Sequence, residues 1–82
     1  MSIVPLLQQS AFDPEFIETL VSAYEDAWAQ VEKSGSTFAS PRYRRAAQEV
    51  IAKRIIETAQ RGEREPTLLA QDAVSYLARS YA

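Results

Sequence analysis

The clearest pattern in this chain of 82 residues is a helical stripe of apolar side chains between residues 14 and 33. Apolar positions recur at gaps of three, one, three, three, one and three residues. That spacing keeps them on one face of a helix with about 3.6 residues per turn. The members of the stripe are Ile17, Leu20, Val21, Tyr24, Ala27, Trp28 and Val31. We therefore predict an amphipathic helix over 14–33, with Trp28 buried.

The ends of this helix carry residues that favour a start and a stop. Asp13 can accept a hydrogen bond from a free backbone amide as N-cap, and Pro14 loses nothing at the first helical position. Phe12 and Ile17 have the spacing of a hydrophobic staple. Gly35 tolerates the left-handed conformation that ends many helices. These residues predict where the first helix begins and ends.

A second helix is predicted over residues 41–61, after a loop at 35–37. Ser40-Pro41 repeats the pattern of a cap followed by proline, and Gly62 supplies a stop with a positive φ. The apolar stripe of this helix is Gln48, Ile51, Ala52, Ile55, Ile56 and Ala59. Tyr43 and Val50 project from the other side, so they indicate a second contact surface.

A third helix is predicted from Pro66 to about residue 80. Glu65 stands in the capping position and Pro66 at the first helical position. The side chains predicted to face the core are Leu69, Ala73, Tyr76 and Leu77. Strands are not expected, because the chain has neither alternating β-branched residues nor an Asn-Gly or Asp-Gly hairpin turn.

Together these patterns predict an all-α protein: a short N-terminal arm, residues 1–11, followed by one small three-helix domain, residues 12–82. The predicted core is Ile17, Leu20, Val21, Tyr24, Trp28, Val31, Ile51, Ile55, Ile56, Leu69, Tyr76 and Leu77. A domain of this size buries only about 60–65% of its unfolded surface, so a partner that covers more apolar surface would stabilise it.

The stretch from Ile51 to Pro66, with the helix start at residues 12–15, resembles a group of short uncharacterised proteins found in alphaproteobacteria. Their pattern reads I-A-x-x-I-I-E-x-A-x-x-G-E-R-D-P, and the resemblance spans roughly residues 12–78. It implies a compact helical fold and no known activity. This chain has Glu65 where the pattern has Asp. Glutamate is a poorer N-cap than aspartate, so the start of the third helix is expected to be less well fixed.

The residue types present argue against catalysis, metals and cofactors. The chain has no cysteine and no histidine, which removes thiolate ligands, the commonest transition-metal ligand and the usual base for a serine such as Ser22 or Ser75. Glu18, Glu25 and Asp26 approach one another on an exposed helix face, where carboxylates are poor general acids or bases. Tyr24, Trp28 and Tyr76 could line a ligand site, but aromatic residues at core spacing favour a core. We expect no enzyme.

Charge is distributed unevenly along the chain. Residues 1–40 carry six acids and one base, residues 41–61 carry six bases and two acids, and residues 62–82 carry three acids and two bases. One interpretation is a basic surface for an anionic partner, formed by Arg42, Lys53, Arg54 and Arg61 with Tyr43 and Val50 between them. The other is that these charges face solvent or the acidic first helix.

Nucleic-acid binding through the second helix is therefore the alternative function. A helix-turn-helix is conceivable because the second and third helices are about four residues apart, but the third helix would offer base contacts only from Thr67 and Gln71. The net charge of −2 also argues against nucleic acid, because phosphate contacts dominate such affinity.

The favoured function is a non-enzymatic protein-interaction or regulatory module that binds another protein or its own copy. The candidate surface is Tyr43, Val50, Arg54 and Arg61, and the arm with Leu6 and Leu7 is a second candidate surface for a homodimer. In such a dimer Glu18, Glu25 and Asp26 would face Arg54 and Arg61 of the other copy. No membrane span or signal peptide is recognisable, so a cytoplasmic location is expected.

Overall fold

A computed structural model describes residues 12–81 as three α-helices and one short 3₁₀ helix. The helices are α1 (Pro14–Lys33), α2 (Arg44–Gln60) and α3 (Pro66–Tyr81), and the 3₁₀ helix (Thr37–Ala39) lies between α1 and α2. Residues 12–81 contain no strand. α3 packs along both other helices, which contact each other less. The predicted all-α, three-helix architecture is confirmed, whereas the predicted arm, residues 1–11, lies outside the described residues.

The start of α1 follows the sequence prediction. The Asp13 carboxylate accepts a hydrogen bond of 2.9 Å from the backbone N–H of Glu15, and Pro14 is the first helical residue. Phe12 packs edge-to-face on Phe16, with ring centroids 5.5 Å apart. The staple spacing predicted a contact between Phe12 and Ile17. The aromatic contact of Phe12 is with the preceding residue, Phe16. Phe12, Phe16 and Ile17 are all partly buried and pack against the core at this end.

The connection between α1 and α2 differs from the predicted one. Residues 37–39, partly assigned to a loop, form the 3₁₀ helix. The α-helix begins at Arg44 and not at residue 41, because the Ser40 hydroxyl donates backwards to the Thr37 carbonyl (2.7 Å) and does not cap α2. A tight turn precedes α2 instead, in which the Tyr43 amide donates to the Ser40 carbonyl.

The turn between α2 and α3 matches the prediction at Gly62. Its φ is +112°, in the region that glycine tolerates best, so the predicted positive φ is confirmed. α3 begins at Pro66 as predicted, and the Glu65 carbonyl accepts the first hydrogen bond of the helix, from the Leu69 amide. The carboxylate that accepts from backbone amides here belongs to Glu63, which binds the amides of Arg64 and Glu65.

The core lies where the three helices meet and contains many small residues. Its buried members are Leu20, Ala23, Tyr24, Ala27, Trp28, Val31, Ala47, Ile51, Ala52, Ile55, Ile56, Ala59, Leu69, Ala70, Ala73 and Leu77. Most of the predicted core is confirmed, including Trp28. Ile17, Val21 and Tyr76 are only half-buried, because they lie at the edges of the helix stripes. Ile17 and Val21 still pack against this core, whereas the sequence prediction placed Tyr76 too deep.

Candidate interaction surface

An apolar groove opens where the 3₁₀ helix meets the first turns of α2 and the last turn of α3. It encloses about 600 Å³. The residues that line it are Ser36, Thr37, Phe38, Tyr43, Ala46, Ala47, Val50, Leu77 and Tyr81. We call this feature the apolar groove. A concave site of this volume falls within the range of sites that hold a small molecule or the anchoring side chains of a partner.

Helical spacing brings the lining residues of the groove together. Ala46 and Val50 are four residues apart on one face of α2, and Tyr43 directly precedes its first residue. Leu77 and Tyr81 are four residues apart on α3. The Tyr81 ring also packs edge-to-face on Tyr76, at 6.4 Å between centroids. The groove therefore has one wall on each helix.

The 3₁₀ helix supplies the third wall of the groove through Phe38. The Ser36 hydroxyl oxygen accepts a hydrogen bond of 3.1 Å from the Phe38 amide and so caps this short helix. At its other end the Ser40 amide and hydroxyl both donate to the Thr37 carbonyl. These bonds stabilise the turn that places Phe38 opposite α2.

The groove has a buried floor and exposed aromatic rims. Leu77 and Ala47 are 2% and 3% exposed and form the floor. Tyr43 and Tyr81 are 44% and 54% exposed and stand at the rim. The Arg42 guanidinium lies 5.6 Å from the centroid of the Tyr43 ring. A partner side chain that enters here would contact an apolar interior and tyrosines at its mouth.

A smaller recess of about 300 Å³ adjoins the groove along the seam between α2 and α3. It shares Ala46, Val50 and Tyr81 with the groove. Its other lining residues are Glu49, Lys53, Arg54, Glu57 and Tyr76, so the surface becomes charged in this direction. Lys53 is already paired with Glu49 at 3.7 Å.

Next to this recess, Arg54 and Asp72 join α2 to α3. Arg54 donates from Nε and Nη2 to the two oxygens of the Asp72 carboxylate, at 2.7 and 3.3 Å. The Thr58 hydroxyl lies 3.0 Å from the same carboxylate, and the Arg54 guanidinium lies 4.6 Å from the Tyr76 ring centroid. We call Arg54, Thr58, Asp72 and Tyr76 the polar clasp. In the polar clasp, the positive charge of Arg54 is paired with Asp72 of the same chain.

The hydrogen bonds of the polar clasp shift the acidity of its members. The hydrogen bond from Arg54 lowers the pKa of Asp72, against an opposing effect of partial burial, and Thr58 adds to the lowering. The same bond raises the pKa of Arg54. Both residues therefore stay charged near neutrality, which is what a structural ion pair requires.

The structure brings together two of the four predicted surface residues. Tyr43 and Val50 lie in the apolar groove, and Arg54 lies in the adjoining recess but is paired with Asp72. Arg61 follows the last residue of α2, eleven positions after Val50, which is roughly 16 Å along a helix axis. It therefore does not belong to the groove.

Sequence reasoning missed Phe38 and Tyr81 and assigned Leu77 only to the core. Leu77 and Tyr81 have the spacing of four residues that places side chains on one helix face, so that signal was present. Phe38 carried only the weak signal of a single aromatic residue in a polar segment. The approach of Phe38 to Tyr81 depends on the packing of the helices and has no local signature.

Other candidate sites have less support within residues 12–81. Glu18, Glu25 and Asp26 are exposed on α1, and no group of three acidic, histidine or cysteine side chains among these residues could hold a metal ion. Tyr24 and Trp28 are buried in the core, as predicted, and not in a ligand site. Of the helices described, none is both long and apolar enough to cross a membrane.

Comparisons with known proteins find no matching family model, no matching curated protein and no matching solved structure. The resemblance to the alphaproteobacterial group therefore stays a prediction. Inferences about function depend on the surface of the described residues.

Proposed function

We propose that this chain is a non-enzymatic protein-interaction module whose apolar groove receives hydrophobic side chains of a protein partner. The observation that carries the proposal is the groove itself, with a floor of Leu77 and Ala47 and two half-exposed tyrosines at its rim. Tyrosine is enriched where proteins bind one another, because it contributes a large apolar ring and a polar hydroxyl. Contiguous apolar surface of this kind favours a binding role.

The charges around α2 support a protein partner over nucleic acid. Three cations on this helix already have acidic neighbours: Arg44 pairs with Glu32, Lys53 with Glu49 and Arg54 with Asp72. Phosphate contacts need cations that are free to neutralise the backbone. The nucleic-acid alternative therefore depends on Arg42, Arg45 and Arg61, which have no acidic partner among the described residues, whereas the groove offers apolar contacts.

The test is capture of proteins from native lysate by the tagged full chain and by Ala46→Glu. Ala46 is exposed and lines the groove, so a glutamate there adds charge at the binding surface and keeps a good helix former. Gln60→Glu, at an exposed position at the end of α2 outside the groove, is the matched control. We expect proteins bound by the wild type and the control but lost from Ala46→Glu.

Two results would contradict the proposal. One is capture of the same proteins by Ala46→Glu as by the wild type, with circular dichroism showing that both variants are folded. The other is a salt-sensitive shift of mixed nucleic acids in a gel, strong at low salt and weak at moderate salt, without any groove-dependent protein. The second result would favour the nucleic-acid alternative.

A further inference from the structure

We propose that the occupant of the apolar groove is the segment 3–7 of a second copy, so that two chains exchange their N-terminal arms around a two-fold axis. This inference rests on the proposed function, since it names the partner of the same groove. It follows from three properties: the chemistry of the arm, the point at which the arm joins α1, and the concave shape of the groove.

The arm matches the groove in chemistry. Residues 3–7 are Ile3, Val4, Pro5, Leu6 and Leu7, and no side chain before Asp13 is charged. Four large aliphatic groups thus stand in a short uncharged segment. Such side chains gain most from transfer out of water into an apolar site. Because the segment carries no cationic side chain, it also meets no like-charge repulsion from Arg42 at the rim.

The arm joins the bundle at the end remote from most of the groove. Phe12, the first described residue, packs on Phe16, whose ring lies under Arg64 in the turn between α2 and α3. Phe38 follows the opposite end of α1. The 20 residues of α1 span about 30 Å at 1.5 Å per residue. Along α2, Tyr43 is 17 residues before Gln60, about 25 Å.

The reach of Leu6 and Leu7 favours the groove of another copy over the groove of the same chain. Leu7 is five residues before Phe12 and Leu6 is six, so at full extension they reach at most about 18 and 22 Å from it. Both fall short of the Phe38 and Tyr43 end of their own groove, about 25–30 Å away, which only Ile3 and Val4 could reach at full extension. A second copy that lies antiparallel brings its groove next to the arm, and the symmetry delivers both arms at once.

The shape of the groove excludes a simpler dimer. A two-fold contact places the same patch on both sides of the interface. Two grooves that face each other would therefore enclose an empty cavity, and their apolar walls would not touch. A concave site needs a protruding segment. The predicted pairing of Glu18, Glu25 and Asp26 with Arg54 and Arg61 also loses Arg54, which is held by Asp72. Arm exchange needs neither arrangement.

Sedimentation equilibrium of full-length variants tests the arm. We expect Leu6→Asp combined with Leu7→Asp to raise the dissociation constant of the dimer at least about tenfold, since two apolar contacts are lost. Gln8→Asp combined with Gln9→Asp adds the same charge to polar positions of the same arm and should change it far less. Ala46→Glu should weaken the dimer as the arm variant does, with Gln60→Glu as its control.

A mixing experiment separates exchange from any other interface. The arm variant has an intact groove, and Ala46→Glu has an intact arm. Each alone has no working contact, but one copy of each forms one working contact, from the intact arm to the intact groove. We therefore expect the equimolar mixture to associate more tightly than either variant alone. An interface elsewhere on the surface would give no such gain.

The outcomes separate this inference from the proposed function. Undiminished association of the arm variant, or a mixture no tighter than its components, overturns arm exchange. A wild-type chain that stays monomeric at several hundred micromolar, on the order of the weakest specific associations, also overturns it. If lysate capture then still depends on Ala46, the groove binds a different protein and the proposed function stands. If capture does not depend on Ala46, both proposals fail.

Discussion

The seam between α2 and α3 is closed at one stretch and open at the next, although the two are only four residues apart on α2. At Arg54 a long side chain crosses the seam, binds Asp72 through two hydrogen bonds and covers Tyr76. Around Val50 the neighbouring residues are Ala46 and Ala47, which are too short to fill the space towards Leu77 and Phe38. The polar clasp therefore satisfies its own charges, while the apolar groove is left unfilled by the described residues.

The surface that stays exposed along this seam is thus partly apolar, although α2 is the basic segment of the sequence. The charges of α2 are largely used within the chain, at Glu32, Glu49 and Asp72. What the fold leaves exposed near them is aromatic, at Tyr43 and Tyr81. The charges counted along the sequence favour an anionic partner. The charges that remain unpaired after folding favour it less, because three cations of α2 already have acidic neighbours.

Among the substitutions considered, truncation of the core residue Trp28 should lower the free energy of unfolding most. Trp28 is 7% exposed in the core, and we expect Trp28→Ala to lower the free energy of unfolding by about 3–5 kcal/mol, as large-to-small core changes do. In a domain of this size such a loss leaves little or no folded protein. Chemical denaturation followed by circular dichroism measures it. Red-shifted, freely quenched tryptophan fluorescence in the folded wild type would contradict the burial.

A conservative change sharpens this result. The Trp28 Nε1 atom is buried and finds no acceptor among residues 12–81. Trp28→Phe removes that N–H together with some volume, so it should cost clearly less than Trp28→Ala.

A substitution at Gly62, in the turn between α2 and α3, should have the next largest effect on the free energy of unfolding. A Cβ at Gly62 would meet no atom within 4 Å, so the cost of Gly62→Val comes from its φ of +112°. We expect a loss of about 1–3 kcal/mol in the free energy of unfolding, because a β-branched residue is strained in that region. Urea titration is the measurement, and wild-type stability would show that the turn does not need glycine. The free energy of unfolding of Gly62→Ala should lie between those of the wild type and Gly62→Val.

Opening the polar clasp should have a smaller effect that depends on pH. We expect Asp72→Asn to cost roughly 1–2 kcal/mol near neutrality, since it removes a partly exposed, doubly hydrogen-bonded ion pair. The pKa of Asp72 is lowered in the folded chain. Its stabilising contribution is thus fully present above the unfolded pKa of about 4 and is lost as the pH falls through the lower folded value.

The measurement is the free energy of unfolding as a function of pH for the wild type and Asp72→Asn. The two curves should converge below about pH 4 as the wild-type carboxylate becomes protonated. Tyr43→Ser, in the apolar groove, is the control and should change stability by less than about 0.5 kcal/mol at any pH, because Tyr43 is 44% exposed. Parallel curves for the wild type and Asp72→Asn would show that the clasp does not titrate as described.

Features that depend on adjacent residues were predictable from the sequence. The start of α1 at Asp13-Pro14 and the stop at Gly62 each follow from a local conformational preference, and the structure confirms both. The start of α2 was wrong by three residues because the Ser40 hydroxyl has two possible uses, to cap forwards or to bond backwards. Local sequence does not decide between them.

The candidate site was only half predictable. Tyr43 and Val50 stood out because they fall off the apolar stripe of α2. Phe38 and Tyr81 are 43 positions apart in the sequence, and only the packing of α3 brings them to one groove. Arg54 looked like a free cation because its partner Asp72 lies on another helix. Contacts between distant segments are the part that periodicity cannot supply.

Seven of the sixteen buried core residues are alanines, and this makes the tolerance of the core one-sided. Ala27, Ala52 and Ala73 are fully buried, so the space beside them is already filled by the neighbouring helices. An added methylene at such a position forces strained rotamers or a shift of a helix, at a cost of about 1–3 kcal/mol. Sequences that keep this fold should therefore vary freely on the outer faces and seldom exchange these alanines for anything larger.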